Sequence, residues 1–336
     1  MSIKIFDQVN IDEWQEVADK CEYATFFHTP GWSKFFTETY PEMEIATKKF
    51  ILDDGIKVIL PLVSVRAKGL FKNWSSTIPG VYGGIISEIK IKQNQIDQIH
   101  NYLLRSEIAN LSITGNPLFN YDLPSKFNKR DDFTHILKLT RSEEEILENY
   151  EYSARKQINK AKRSGVVYRE ANNINEWEEY YSIYRRALKR WGDKVTSDYP
   201  LSLFRNVFTL RKKEDVKLWL VIYDEKIVGG NLNFYHNKHC VEWHASFLSD
   251  YFKHGIRNFL VHNIILEANA RGYEYYDFNP SGGHEGTARF KETFGSQKMP
   301  LKRWTFKKPF IEKITSMKKS ILENLKPGGR NDEQVS

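Results

Sequence analysis

The sequence predicts an α+β protein built as two tandem domains, each a mixed, mostly antiparallel sheet flanked by helices. Two observations carry this. The order helix, antiparallel strands, helix, strand occurs twice, and the repeated features keep similar offsets: the tight turns at Asp53 and Asp224 lie 171 positions apart, and the later helix starts near 95 and 256 lie 161 apart. Residue identity between the halves is poor, so the repeat is one of architecture. At 336 residues the chain is long enough for about two domains of ordinary size. The expected units are 1–140, 141–306 and a C-terminal piece, 307–336.

In the first unit, residues 11–19 read as a helix capped by Asn10 or Asp12. Thr29 before Pro30 starts a second helix that runs to Tyr40. Strand signals at 45–52 and 56–65, joined by Asp53-Asp54-Gly55, make a hairpin. Gly80 to Ile86 reads as a glycine-interrupted strand, followed by a helix over 95–109 and strands at 111–114 and 133–139.

The second unit opens with helices over 142–150 and 152–164, the latter ended by Gly165. Trp177, Tyr180, Tyr181, Tyr184, Ala187, Leu188 and Trp191 recur at helical spacing and predict an amphipathic helix packed by aromatic rings. A hairpin over 217–235, a third strand at 239–247, a helix over 256–271 and a strand at 273–278 follow. Phe310 to Leu325 is expected to be a lysine-rich amphipathic helix, with a disordered tail from Lys326.

Composition bounds the function. Forty per cent hydrophobic and 28% charged residues are those of a folded chain, and the 14% aromatic share suits a groove for a long substrate. A net charge of +7 favours anionic partners: phosphates, coenzyme A, RNA or acidic lipid. Two cysteines form no disulfide framework or cysteine-rich metal site. With no run of apolar residues of membrane-spanning length, the expectation is a cytoplasmic protein with at most peripheral membrane contact.

The stretch from Tyr275 to Gly295 carries the densest chemistry: a short apolar strand, a bend with Gly282, Gly283 and Gly286, then Arg289 and Lys291 on a basic-aromatic helix start. Upstream, Arg155, Lys156, Lys160, Lys162 and Arg163 cover a helix whose apolar stripe is Ala154, Ile158 and Ala161.

The run Tyr152-Ser-Ala-Arg-Lys-Gln-Ile-Asn-Lys-Ala-Lys-Arg-Ser-Gly-Val166 resembles the basic helix of the Fem-type aminoacyltransferases and their acetyltransferase relatives. Tyr276-Asp-Phe-Asn279 and Gly286-Thr-Ala-Arg-Phe-Lys-Glu-Thr-Phe-Gly295 resemble that family's C-terminal signature, and Phe27 to Trp32 resembles its N-terminal helix start. The resemblance implies two tandem GNAT-like domains. It also implies transfer of an acyl or aminoacyl group to an amine, the acceptor being a peptidoglycan precursor or a cell-surface sugar. It gives the Phe290-Lys291 pair a catalytic role and places Arg155, Lys156 and Trp32 on the acceptor side. The helical arm of the tRNA-dependent cell-wall enzymes has no counterpart between Gly165 and Lys217, which favours an acyl-CoA donor over aminoacyl-tRNA. Ser249 to Arg257 does not spell the usual glycine-spaced pyrophosphate loop.

Acyl transfer to an amine needs a cation or dipole for the tetrahedral oxyanion and an acceptor for the amine proton; it needs no metal. Lys291 is the candidate cation. Asp277, Glu242 and His244 are the candidate proton acceptors, and strand alternation sets Glu242 and His244 on one face with Cys240. Lys253, Gly255, Arg257 and Asn258, at the start of a helix, are the candidate donor-phosphate contacts. His239 and His244 lie roughly 17 Å apart on opposite faces of one strand, which speaks against a metal site there. The alternative class is a non-catalytic binder of nucleic acid or anionic membrane, resting on the net charge.

Overall fold

The computed structural model describes residues 3–66, 72–78, 80–105, 108, 110–139, 142–195 and 197–308. The expected C-terminal helix over 310–325 lies outside these residues. One continuous sheet of eleven strands dominates. Its spatial order is Val167–Glu170, Val216–Tyr223, Lys226–His236, His239–Phe247, Tyr275–Asp277, Asn128–Lys138, Gln297–Lys307, Asn110–Thr114, Lys72–Ser75, Val63–Arg66 and Met43–Ile45. Two junctions are parallel: His239–Phe247 with Tyr275–Asp277, and Lys72–Ser75 with Asn110–Thr114. In each half a helix stands between the parallel partners in sequence, Gln93–Arg105 in the first and Ile256–Ala270 in the second. Parallel strands require such a crossover, so the repeated order seen in sequence is a repeated topology.

Local signals placed most helices. Asn10 accepts from the backbone N–H groups of Asp12 and Glu13 to start Ile11–Lys20. Thr29 caps Pro30–Thr37, and Ser142 and Glu145 form a capping box on Glu143–Glu148. Gly165 and Gly272 hold φ of 74° and 83° just past their helices, a region that favours glycine. The helix Leu201–Leu210 was not expected; it buries Leu203, Phe204 and Val207 beside the aromatic helix Ile174–Trp191.

The expected hairpin over 45–65 is split between two sheets. Lys48–Ile51 pairs with Lys57–Leu60 in a four-stranded sheet with Lys4–Phe6 and Ile86–Ser87, while Met43–Ile45 pairs with Val63–Arg66 at the edge of the large sheet. At the break, Ala46 N–H donates to the Leu62 carbonyl at 2.8 Å and Leu62 N–H donates to the Thr47 hydroxyl at 3.2 Å, while Pro61 has no N–H to continue the ladder. The strand expected from Gly80 shrinks to Ile86–Ser87, because Gly80 and Gly84 take φ of 94° and 102°.

The halves are joined at a seam. Gln297–Lys307, from the end of the second half, inserts between Asn128–Lys138 and Asn110–Thr114 of the first. Pro300 in its middle speaks against a central strand, which hides it in the sequence. One face of the second-half sheet carries Ile174–Trp191 and Leu201–Leu210, with Phe26, Trp32 and Phe36 of the first half packed against Phe234 and Trp243. The other face carries Tyr152–Arg163 and Ile256–Ala270.

Asp277, fully buried, stitches the seam. Its carboxylate accepts from Tyr82 OH at 2.6 Å, Thr134 Oγ1 at 2.7 Å and Asn279 N–H at 2.7 Å, the first two from the other half. Tyr82→Phe removes one donor from a buried carboxylate and is expected to cost about 1–3 kcal/mol of stability. Denaturant unfolding checks this, and an unchanged midpoint would show that the bond carries no load.

Candidate active site

Pairing between the parallel strands His239–Phe247 and Tyr275–Asp277 covers only His239, Cys240 and Val241. Beyond Val241↔Asp277 the first strand runs on to Phe247, while the second turns away at Asn279, whose φ is +63°. The two diverge. The divergence lies at the carboxyl ends of the parallel pair, the place where ligands of such sheets bind, and marks the candidate crevice.

Three groups converge there. Lys291, on the helix Glu285–Glu292, is only 3% exposed and donates from Nζ to the Asn279 carbonyl at 2.6 Å. Burial lowers its pKa to about 8, with Glu242 and Asp277 pulling the other way. Glu242 accepts at Oε2 from Asn231 Nδ2 at 2.8 Å and from Tyr276 OH at 2.9 Å; Oε1 has no hydrogen-bond partner among the described residues. Arg257, half-buried, lays its guanidinium over the Phe290 ring at 4.2 Å. Burial lowers its pKa, with Glu242 acting in the opposite sense.

Arg257 belongs to the first turn of Ile256–Ala270. Gly255 caps that helix at φ +73°, and a Cβ there would sit 2.3 Å from the Gln157 carbonyl of the basic helix. Only glycine fits this approach. The first intrahelical bond is Phe259 N–H to the Gly255 carbonyl, so the N–H groups of Ile256, Arg257 and Asn258 meet no backbone acceptor among the described residues and are oriented to receive an anion. Lys253 lies exposed in the preceding 3-10 turn, Ser249–His254.

Other expected residues are placed differently. A β-bulge shifts the register between Leu232↔His244 and Asn233↔Glu242 and leaves Trp243 unpaired. This overturns the expected alternation. His244 turns with Trp243 to the aromatic face, where Nδ1 lies 2.6 Å from Tyr180 OH and rings of Tyr184, Tyr199 and Phe204 surround it; burial pushes its pKa down to about 3. Glu242 stays on the opposite face. Asp277 spends both oxygens on the seam, and burial raises its pKa, so its place is structural.

Trp32 is a core side chain, stacked edge-on against Phe234 and Trp243. Arg155 donates to the Leu147 and Glu148 carbonyls and so closes the helix Glu143–Glu148, while Lys156 is exposed. Among the described residues, no cluster of three or more His, Cys, Asp or Glu side chains is placed to hold a metal ion. Sequence reading did not single out Asn231, and it met Tyr276 and Asn279 only inside the signature stretch with no role for either, because their bonds to Glu242 and Lys291 form only after the strands pair.

Between pH 8 and 10.5 the unfolded chain holds a proton on Lys291 that the folded chain has released, so the contribution of this group to stability rises with pH in that window. The stability of Lys291→Met relative to the parent is therefore expected to be higher at about pH 7 than at about pH 9.5. Melting curves at the two pH values check it; a pH-independent difference would mean the ammonium is not desolvated.

Residues 148–292 match the family model of the acetyltransferase (GNAT) domain. No curated protein matches the chain. Among solved structures, FemX superposes with a TM-score of 0.68 at 10% identity, over 90% of this chain and 97% of that one. The C-terminal domain of a putative lysylphosphatidylglycerol synthetase from Agrobacterium fabrum gives 0.55 at 9% identity, over 93% and 96%. A tandem GNAT protein from the clavulanic acid biosynthesis pathway gives 0.54 at 10% identity, over 91% and 98%. At such identities the likeness is one of fold, and the fold is that of two tandem GNAT-like domains.

Proposed function

With a GNAT-type acetyltransferase domain over residues 148–292 as premise, we propose that the protein is an N-acyltransferase working in the crevice beside Lys291. The observation that carries this reading is a buried lysine with spare donors: Nζ uses one N–H on the Asn279 carbonyl, and no other acceptor meets it among the described residues. The other N–H groups are available to an oxyanion.

The donor is an acyl-CoA thioester, its pyrophosphate on the free N–H groups that begin Ile256–Ala270 and beside Arg257. Aminoacyl-tRNA is the alternative donor. The acceptor is an amine, of the peptidoglycan-precursor or cell-surface-sugar kind that the Fem resemblance implies. The amine nitrogen attacks the acyl carbonyl, a C–N bond forms, and the oxyanion collapses as the C–S bond breaks and the sulfur leaves as a thiolate. Glu242, whose Oε1 has no hydrogen-bond partner among the described residues, takes the amine proton. The cation is charged below pH 8, so a rate that depends on it falls as pH rises through that value.

Lys291→Ala is expected to fold and to lose about 100-fold in kcat, the cost of removing one donor from an oxyanion. Steady-state assays with acetyl-CoA and a panel of amines check it, and parent-like turnover would remove Lys291 from the site. Coenzyme A at about 100 times its Kd is expected to add roughly 2.7 kcal/mol to the stability of the folded chain. A flat melting temperature across coenzyme A and its acyl esters would instead move the donor to aminoacyl-tRNA.

A further inference from the structure

Next to Thr134, which bonds the Asp277 carboxylate, stands His135, a buried histidine that the proposed chemistry does not use. Strand alternation turns it to the opposite face, toward the helix Glu285–Glu292. Its carbonyl accepts from Phe278 N–H at 2.9 Å, one residue before the turn whose carbonyl holds Lys291. Its ring meets the helix itself: Nε2 lies 3.5 Å from Glu292 Oε1, and Glu292 is the residue after Lys291. Phe133 stands edge-on to the ring at 5.5 Å, and Lys298 is its partner on the neighbouring strand.

Two features set this histidine apart from an ordinary core residue. The side chain is 0% exposed, yet neither ring nitrogen makes a hydrogen bond among the described residues. A buried polar atom in that state calls for a partner that the resting geometry holds slightly too far, and the Glu292 carboxylate is that partner. The second feature is its origin. Ties of this helix to the second half are in place: Arg289 pairs with Glu151 at 2.8 Å, and the Thr293 carbonyl accepts from Glu151 N–H at 2.9 Å. His135 brings a tie from the first half. The charged groups that face its ring are Glu292 and Lys291 of the helix and Lys298 of the adjacent strand. Burial, the largest influence, and the two lysines lower its pKa against the pull of Glu292, so His135 is neutral near pH 7. A neutral ring can donate one N–H to Glu292 without setting a second positive charge against Lys291.

We infer that His135 is a positioning residue for Lys291: from the first half it holds Glu292, and through it the last turn of the helix, so that the ammonium stays in its water-poor place on the Asn279 carbonyl. The inference rests on the acyl-transfer reading above and deepens it, since it makes the first half part of the catalytic unit. His135 acts through Lys291, so its loss falls on kcat and on the titration of Lys291 and spares the KM for the donor.

Two measurements on the full chain test this. The first follows Lys291 by NMR of protein carrying 13C-labelled lysine, with Lys291→Met identifying its signal. In the parent the signal is expected to titrate near pH 8. In His135→Leu, which has no ring nitrogen, the midpoint is expected to move up toward that of an ordinary lysine as the ammonium gains water. His135→Gln, whose amide reaches Glu292 and never charges, is expected to restore the parent midpoint. The second measurement is steady-state transfer from acetyl-CoA to a panel of amines. His135→Leu is expected to lose about tenfold in kcat at unchanged KM for acetyl-CoA, with the basic limb of the pH profile moving up, and His135→Gln to regain both. A role confined to stability would move neither midpoint nor limb. Parent-like titration of Lys291 in His135→Leu overturns the inference, whatever the turnover. A parent that titrates near pH 8 and transfers to no amine overturns the acyl-transfer reading, and the NMR midpoints of the variants still decide the role of His135. A parent Lys291 that titrates as an ordinary lysine overturns both. Should His135→Leu fail to fold, His135→Asn, polar but too short to reach Glu292, takes its place.

Discussion

The buried carboxylate of Asp277 is the constraint on which the rest depends. It takes two hydrogen bonds from the first half, through Tyr82 and Thr134, and a third from the Asn279 backbone. The third bond fixes the left-handed turn at Asn279, and the carbonyl of that same residue holds Lys291. One side chain thus ties the junction of the two halves to the position of the proposed catalytic cation. A buried carboxylate is costly unless every oxygen is satisfied, and here both are.

The crevice follows from that anchor. With the strand end turned away at Asn279, its parallel neighbour has no partner on that edge beyond Val241 among the described residues. The bulge at Trp243 then sorts the side chains of that neighbour. Trp243 and His244 go to a packed aromatic face shared with Tyr180 and Phe204; Glu242 goes to the face of Tyr276 and Lys291. A single extra residue in a strand changes which titratable group can meet a ligand. The desolvation that lowers the pKa of Lys291 also strengthens its field on any charge brought beside it.

Legibility from sequence followed the range of the interaction. Asn10, Thr29 and Gly165 signal helix ends through bonds within a few residues, and each stands where it was expected. Pairings across the halves left no local signal. Gln297–Lys307 is stabilised by Asn128–Lys138, far away in the chain, and carries a proline that argues against it. Likewise the split of the hairpin over 45–65 depends on which sheet each segment can reach, something the turn at Asp53 does not encode.

By itself, the sequence determined the α+β class, the repeated order of elements and the cationic character of the chain, because each of these rests on composition and local pattern. Only the tertiary structure decided that Asp277 is a structural anchor, that His244 faces away from the crevice, that Trp32 is core and that His135 lies against the helix of Lys291. The physical reason is that burial, charge pairing and strand register are properties of neighbours distant in the chain. A side chain's chemistry is written in its identity, but its role is set by what the fold brings against it.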